Sequence, residues 1–409
     1  DWFPEDLKQK YYNGKKSKIA YFAGCTASYV EKDIAIATVR LLGSAGVNFT
    51  YVGQKENCCG TPMLVAGKWE LFAETMKKNI EAIKEAGAET VVTSCPACDM
   101  MWRQVYPKWC EKLGVNYNIK ARHYSEVIAE KIRTGEFRFP KRDDKKEVVS
   151  WHDSCHIGRV SGIYDEPREL IKAVPNIELV EMEFNRQNAH CCGSVLTLIK
   201  EPPIAADIGE TRLKEAVDAG AQKVLALCPC CEFQFRVTVD KRNLPLEIVD
   251  LARFCSEALG YELPDPNPDV RANWAVFEKM IALMTPQGFA NLMQTMWTEI
   301  MDAMPLGMGK MMMAIGKLGF VGKAMLQAMK PLFPVLFPVL LPKMMPKLMP
   351  AMLNRVEKMI PMPDYMREQM PELMPKVVDN LMPHMIGELV PLVSQPMIDW
   401  LTSKSSAQN

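Results

Sequence analysis

A chain of 409 residues with 49 basic and 49 acidic side chains carries no net charge, so it lacks the cationic excess that holds nucleic acid through its phosphates. Apolar residues at 48% and charged residues at 24% exclude wholesale disorder and supply material for two or three cores. The first 20 residues hold five Lys and no apolar stretch, so no secretory signal is expected.

After an N-terminal extension over 1–17, the β-prone run Lys18–Gly24 leads into Cys25. The pattern then predicts a helix over Tyr29–Ala45, a strand over Asn48–Val52, a helix over Trp69–Ala86, a strand over Thr90–Ser94 ending at Cys95, and a helix over Ala97–Leu113. A second block repeats the order, with strands over Glu147–His152 before Cys155, over Ile177–Met182, and over Lys223–Leu227 before Cys228. Cys25 and Cys155 are 130 residues apart, while Cys58 and Cys191, and Cys95 and Cys228, are each 133 apart. A near-constant offset marks internal duplication. The expected fold class is α/β: two duplicated lobes, 18–145 and 146–262, each a parallel sheet of βα units with cysteines at the strand ends.

Three prolines in Leu263–Asn273 predict a linker over 263–275. The remainder, 276–409, is expected to be mostly helical and physically distinct, since 24 of the 29 Met and 18 of the 29 Pro follow Tyr261. Between Met304 and Met362 there are eight Lys or Arg against one Glu. Lys310, Lys317, Lys323 and Lys330 recur at a spacing that places them on one helical face. Prolines at 334, 338, 342, 346 and 350 predict short broken helices. The uncharged run Pro331–Pro342 is twelve residues long, too short and too proline-rich to span a bilayer. The expectation is an amphipathic region docking on a membrane surface or a hydrophobic subunit; low-complexity disorder and a self-contained core are the competing readings.

Thirteen cysteines in an unsecreted chain indicate metal or redox chemistry rather than a disulfide scaffold. Ten form two patterns: Cys25, Cys58-Cys59 and Cys95-Pro-Ala-Cys98, then Cys155, Cys191-Cys192 and Cys228-Pro-Cys-Cys231. Thiolate-rich sites select zinc, copper(I) or iron–sulfur clusters, and five ligands exceed the four of a tetrahedral zinc or an ordinary cubane. A cluster of unusual geometry is the economical reading; zinc, in the first lobe above all, and plain electron-relay cubanes stay open. Cys110 and Cys255 lie in apolar helical surroundings and read as core thiols.

The motif Cys…Cys-Cys-Gly…Cys-x-x-Cys, present twice over residues 18–260, resembles the CCG domain of heterodisulfide reductase catalytic subunits of the B or D type. Within that family, Trp151-His-Asp-Ser-Cys-His-Ile-Gly-Arg159 and Asn188-Ala-His-Cys-Cys-Gly193 are most similar to the K subunit of the sulfite-reduction-linked membrane redox complex. The resemblance implies one or two non-cubane [4Fe–4S] clusters bound by Cys25, Cys58, Cys59, Cys95 and Cys98 and by Cys155, Cys191, Cys192, Cys228 and Cys231. It further implies a subunit, peripheral on the cytoplasmic membrane face, that exchanges electrons between an integral-membrane haem or quinone partner and a disulfide or trisulfide. The substrate would be a small thiol protein or a low-molecular-weight disulfide, as in sulfur metabolism and anaerobic respiration. The alternative is an electron relay joining a flavin dehydrogenase to quinone.

Three features depart from the family pattern. Few glycines follow each Cys pair, Cys230 adds a thiol inside the second Cys-x-x-Cys, and no ferredoxin motif of the C-x₂-C-x₂-C-x₃-C-P kind occurs. Electrons are therefore expected from other iron–sulfur subunits or from sequence upstream of Asp1. Three of the five His, His152, His156 and His190, flank lobe-two cysteines. His156 and His190 are the candidates for proton delivery, with hydrogen bonding to cluster sulfur or backbone as the other reading. Arg159 is a candidate for holding a substrate carboxylate or for a surface ion pair. Lobe one has no such His, so lobe two is expected to be the chemical site.

Overall fold

A computed structural model describes residues 2–403 except 13, 15, 142–145, 200 and 201. The expected boundary between the lobes at 145/146 abuts residues outside that description. Two compact units divide at Arg271/Ala272.

The first unit contains two four-stranded sheets, parallel throughout. β1 (Ile19–Phe22), β2 (Thr50–Tyr51), β3 (Thr90–Thr93) and β4 (Lys120–His123) form the first in the order β2-β1-β3-β4. β5 (Glu147–Trp151), β6 (Ile177–Val180), β7 (Lys223–Ala226) and β8 (Glu247–Asp250) form the second in the order β6-β5-β7-β8. The two orders are the same topology repeated, and the first three strands of each sheet lie within the runs predicted for them. The fourth strand of each sheet went unpredicted because Lys-Ala-Arg-His and Glu-Ile-Val-Asp lack an apolar run.

β1 and β5 are buried because helices cover both faces, which suits short Val-, Ile- and aromatic-rich strands. The helix Trp69–Glu85 shows how: Phe72, Met76, Asn79, Ile80 and Ile83 form its buried stripe. Its duplicate, Pro202–Asp218, is offset by 133 at both ends. The chain leaves β1 on one side for β2 and on the other for β3, so the order reverses at β1, and likewise at β5. Ligand sites in open α/β sheets lie at that reversal, beyond the carboxyl ends of the strands.

Before the first lobe, the short helix Glu5–Tyr11 packs Phe3 and Tyr11 into the core; Tyr11 stacks on Phe49 with centroids 4.2 Å apart. The stretch expected as a linker over 263–275 becomes helical at Asn267, where the helix Asn267–Leu283 begins. Proline at the second position of a helix loses no hydrogen bond, and Pro268 stands there.

The second unit is helical, with a core of its own dominated by Met, Leu and aromatic side chains. The proline series does not break it into short pieces. Phe333–Met359 is one helix of 27 residues with Pro338, Pro342, Pro346 and Pro350 inside, and Asp364–Ser403 is another of 40 residues with five internal prolines. The reason lies in the four-residue spacing. Proline removes the N–H that would bond the carbonyl four residues earlier, and for Pro342, Pro346 and Pro350 that carbonyl belongs to the preceding proline. The missing bonds therefore stack in one column on the exposed face, while Phe333, Phe337, Leu341, Met345, Leu348 and Met352 are buried. Nor do the four lysines share a helical face: Lys310 lies in Met308–Gly316, Lys317 follows that helix, Lys323 lies in Gly319–Met329, and Lys330 opens a 3-10 turn.

Proline inside a helix is about 3 kcal/mol less favourable than alanine. Pro342→Ala is expected to stabilise the protein by up to that amount, whereas Phe337→Ala costs about 3–5 kcal/mol. Thermal or urea unfolding distinguishes them, and a loss of stability in Pro342→Ala contradicts the single-column arrangement.

Two cysteine sites as candidate metal centres

Each lobe brings its five motif cysteines together from three loops. Cys25 opens the helix Cys25–Tyr29 directly after β1, behind Gly24 at φ +82°. Cys58 and Cys59 lie on the loop beyond β2, and Cys95 caps the helix Pro96–Met100, whose first residue is the proline of the motif. Cys228 caps Pro229–Arg242 in the same way.

The thiols of lobe one form a continuous chain. Cys25 Sγ is 3.8 Å from Cys58 Sγ, and the Cys58 thiol interacts with Cys59, Cys59 with Cys98, and Cys98 with Cys95. In lobe two Cys192 Sγ is 3.0 Å from Cys231 Sγ, and the thiols of Cys191 and Cys228 interact with Cys192 and Cys231 respectively. Cys155 interacts electrostatically with Cys192 and Cys228, and its Sγ is 3.7 Å from His156 Nδ1. Cys230 joins the set through Cys228. Cys110 lies in the lobe-one core against Met76 Sδ, at 4.0 Å, and Cys255 is fully buried in the core; neither belongs to a site.

Charge is shared unevenly among these thiols. Hydrogen bonds from Cys58 and Cys98 hold Cys59 well below the ordinary thiol value, and those from Cys191 and Cys231 do the same for Cys192. The donors move oppositely: the bond to Cys192, then burial, raises Cys191, and the bond to Cys59, with Cys95 and burial, raises Cys98. The second cysteine of each adjacent pair is thus a buried sulfur whose ionised form the neighbouring thiols favour. Cys25 and Cys191 are exposed, so each site opens to solvent on one side.

Neighbouring side chains hold the loops. In lobe one both Glu56 carboxylate oxygens accept backbone N–H groups, of Ala23 at 3.0 Å and Gly24 at 2.8 Å. Burial pushes this carboxyl up to about 8, partly offset by those amides. Asn79 Nδ2 donates to the Cys58 carbonyl at 2.9 Å, and Tyr106 Oη to that of Cys59 at 3.0 Å. In lobe two Arg159 does the equivalent work with reversed polarity, donating to the carbonyls of Gln187 and Ala189 just before the Cys pair. Those bonds occupy Arg159 with its own backbone. His190 Nδ1 lies 2.6 Å from Glu215 Oε1.

The lobes meet through a duplicated contact. Asp99, directly after Cys98, pairs with Arg103 and accepts from Ser161, six residues past Cys155, at 2.8 Å. Glu232, directly after Cys231, pairs with Arg236, which also reaches Glu31, six residues past Cys25, at 3.6 Å. Each Cys-x-x-Cys helix therefore packs on the first-cysteine loop of the other lobe, and Thr26 Oγ1 lies 3.9 Å from Cys230 Sγ. Sequence reasoning missed Asp99, Arg103, Glu232 and Arg236. The signal was present, since acid and arginine stand one and five residues after the last cysteine in both repeats. It also missed Arg212 and Glu215, which nothing local distinguishes from surface helix residues.

The donor set fits an iron–sulfur cluster: soft thiols gathered from three loops, and more sulfurs than one tetrahedral zinc takes. Gly24 tests the fit locally, because a Cβ there would lie 2.9 Å from Cys98 Sγ on a backbone at φ +82°. Gly24→Ala is expected to cost more than about 1 kcal/mol and to lower the metal-to-protein ratio. Gly46→Ala, at φ +70° with nothing within 4 Å, is expected to strain the backbone and leave metal content alone; equal metal content in the two variants refutes the cradle.

Residues 19–103 and 149–236 match the family model of the cysteine-rich CCG domain. The chain is 32% identical over 265 residues to the D subunit of the dihydromethanophenazine:CoB–CoM heterodisulfide reductase of Methanosarcina acetivorans, covering 63% of this chain and 62% of that one. With its Methanosarcina mazei counterpart it shares 31% over 268 residues, covering 64% and 63%. The EtfAB:quinone oxidoreductase of Syntrophomonas wolfei is 29% identical over 229 residues, covering 54% of this chain and 31% of that protein. The chain thus spans about three-fifths of the length of the heterodisulfide reductase subunits it matches. Two regions that match the CCG domain are thus repeated in sheet order and in thiol arrangement, and across both the chain is similar to the D subunits of heterodisulfide reductases.

Proposed function

We propose that this chain is the iron–sulfur catalytic subunit of a membrane-associated oxidoreductase complex. It exchanges electrons between a quinone- or haem-bearing partner and a disulfide or trisulfide, on a small thiol protein or a low-molecular-weight compound. The observation that carries the reading is the pair of five-cysteine sites, one in each lobe, with Thr26 of the first facing Cys230 of the second. A non-cubane [4Fe–4S] cluster, when bound, supplies electrons one at a time and an iron at which substrate sulfur can bind.

The chain's residues do the rest. Cys59, Cys98, Cys192, Cys228 and Cys231 are buried and exclude water, while the exposed Cys25 and Cys191 mark the side on which substrate enters. Cleaving a disulfide takes two electrons and two protons to give two thiols. His190, held through Nδ1 on Glu215, and His156, beside Cys155, are the residues proposed to hand over those protons. Lobe two is the proposed chemical site, and lobe one its relay.

Two facts support membrane attachment. Gly319–Met359 contains an 18-residue stretch of mean hydropathy 1.6 and is, by length and composition alone, long and apolar enough to cross a membrane. Leu306, Phe320, Val321 and Val335 are 99%, 88%, 60% and 68% exposed, and exposed apolar side chains interspersed with lysines suit a surface that meets lipid or a hydrophobic subunit. The protein is expected to sediment with vesicles of phosphatidylcholine and phosphatidylglycerol, and Phe320→Ser to weaken that binding. Wild-type protein left in the supernatant contradicts attachment to lipid.

The Syntrophomonas relative, by its name an EtfAB:quinone oxidoreductase, favours a second reading, an electron relay between a flavoprotein and quinone without bond cleavage. EPR of the oxidised, anaerobically prepared protein separates the two. Addition of 2-mercaptoethanol is expected to change the cluster signal; a signal indifferent to thiols supports the relay and removes the disulfide chemistry.

A further inference from the structure

The duplication lets each lobe-two residue be compared with its lobe-one counterpart, and at one point the chemistry diverges. Three residues before its first cysteine, lobe one has Phe22, buried and edge-on to Trp102 with centroids 5.5 Å apart. Lobe two has His152, equally buried and edge-on to Phe235 at 4.8 Å. Trp102 and Phe235 are themselves 133 residues apart, so the ring pair is kept and only Phe22 has become an imidazole. A second difference accompanies it. Asn79 of lobe one, which bonds the Cys58 carbonyl, corresponds at the same offset to Arg212.

Arg212 is fully buried and points at the new imidazole. Its Nε donates to His152 Nδ1 at 3.2 Å, and its Nη1 donates to Glu215 Oε2 at 2.6 Å and to the Phe184 carbonyl at 2.5 Å. A guanidinium has donors only, so Nδ1 must present its lone pair and the neutral ring carries its proton on Nε2. That nitrogen is buried and has no hydrogen-bond partner among the described residues. Thiols lie within reach of the ring: His152, Cys192 and Cys231 each place a ligand atom within 4.8 Å of the other two. A ring nitrogen bearing hydrogen cannot ligate a metal, but it can donate to a thiolate.

We infer that Arg212 is a positioning residue that fixes His152 as an Nε2–H donor to the Cys192 sulfur, and that this bond sets the lobe-two centre at a higher reduction potential than its lobe-one duplicate. The inference rests on Cys192 and Cys231 being cluster ligands. Hydrogen bonds to cluster sulfurs favour the more negative, reduced state and raise the potential. Lobe one offers the hydrocarbon ring of Phe22 in the same place and no such bond. Electrons arriving at lobe one therefore run downhill to lobe two, which gives the two sites different roles without any difference in their motif cysteines.

The test uses the full chain purified anaerobically, with iron and sulfide determination and an EPR-monitored redox titration. Wild type is expected to show two midpoints. His152→Phe, which restores the lobe-one residue, should keep its iron and lower only the upper midpoint. The change should be about tenfold in the reduced-to-oxidised ratio at fixed potential, ~59 mV for one electron. His152→Asn, whose amide can still donate, should recover part of the shift, and Arg212→Asn should resemble His152→Phe. In metal-free wild type, ¹⁵N spectra of labelled histidine should show His152 as the Nε2–H tautomer, a reading that needs no variant to fold. An Nδ1–H tautomer, an unmoved upper midpoint with iron retained, or loss of half the iron in His152→Phe overturns the inference, the last by making His152 a ligand. Wild-type protein without iron in either lobe refutes the underlying cluster reading instead.

Discussion

The meeting of thiols from separate loops is the constraint around which the first unit is arranged. A charged sulfur out of water is tolerated only if it is hydrogen-bonded, and neighbouring cysteines of the same lobe hold Cys59 and Cys192 below the ordinary thiol value. Those partners lie on two loops, so the contacts bring together the ends of β2 and β3, and of β6 and β7, while Cys25 joins from β1 through Cys58 and Cys155 from β5 through its interaction with Cys192 and Cys228. Parallel strands with a reversal at the first strand achieve this. The short lengths of the strands follow, because each needs only to carry the chain from one side of the sheet to the loop that bears a cysteine.

Duplication then does more than supply two sites. The acid–arginine pairs after each Cys-x-x-Cys reach across to the opposite lobe, so each cysteine loop is braced by the other half of the chain. Buried ion pairs of this kind are poor sources of net stability but strong specifiers of geometry, and geometry is what two facing sites require. Burial, with Glu232 beside it, pushes the Glu31 carboxyl up, and Arg236 opposes that. Within this near-symmetric frame, the replacement of Phe22 and Asn79 by His152 and Arg212 makes the halves chemically unequal.

Much of this was legible in the residues. The cysteine offsets announced the repeat, and apolar runs, four of them ending at cysteines, marked six of the eight strands among the described residues. Lys120–His123 and Glu247–Asp250 escaped because each carries polar or charged side chains at its ends and pairs with a neighbour on one side only. The helices of the second unit escaped for a different reason. Proline counts as a breaker taken singly, but a four-residue spacing aligns the defects on one exposed face, and the apolar stripe opposite supplies the packing. Arg212 was out of reach because nothing in its neighbourhood says that a helix arginine is buried; only the repeat offset from Asn79 points to it.

The central claim, that two equivalent thiol cradles each hold an iron–sulfur core, is tested most directly by counting iron and acid-labile sulfide in the wild type and in single-lobe variants. For anaerobic wild-type protein the account predicts iron and sulfide in matching amounts. Cys59→Ser and Cys192→Ser should each remove the contents of one lobe and leave the other. Zinc in place of iron, or iron that disappears from both lobes together, would contradict it.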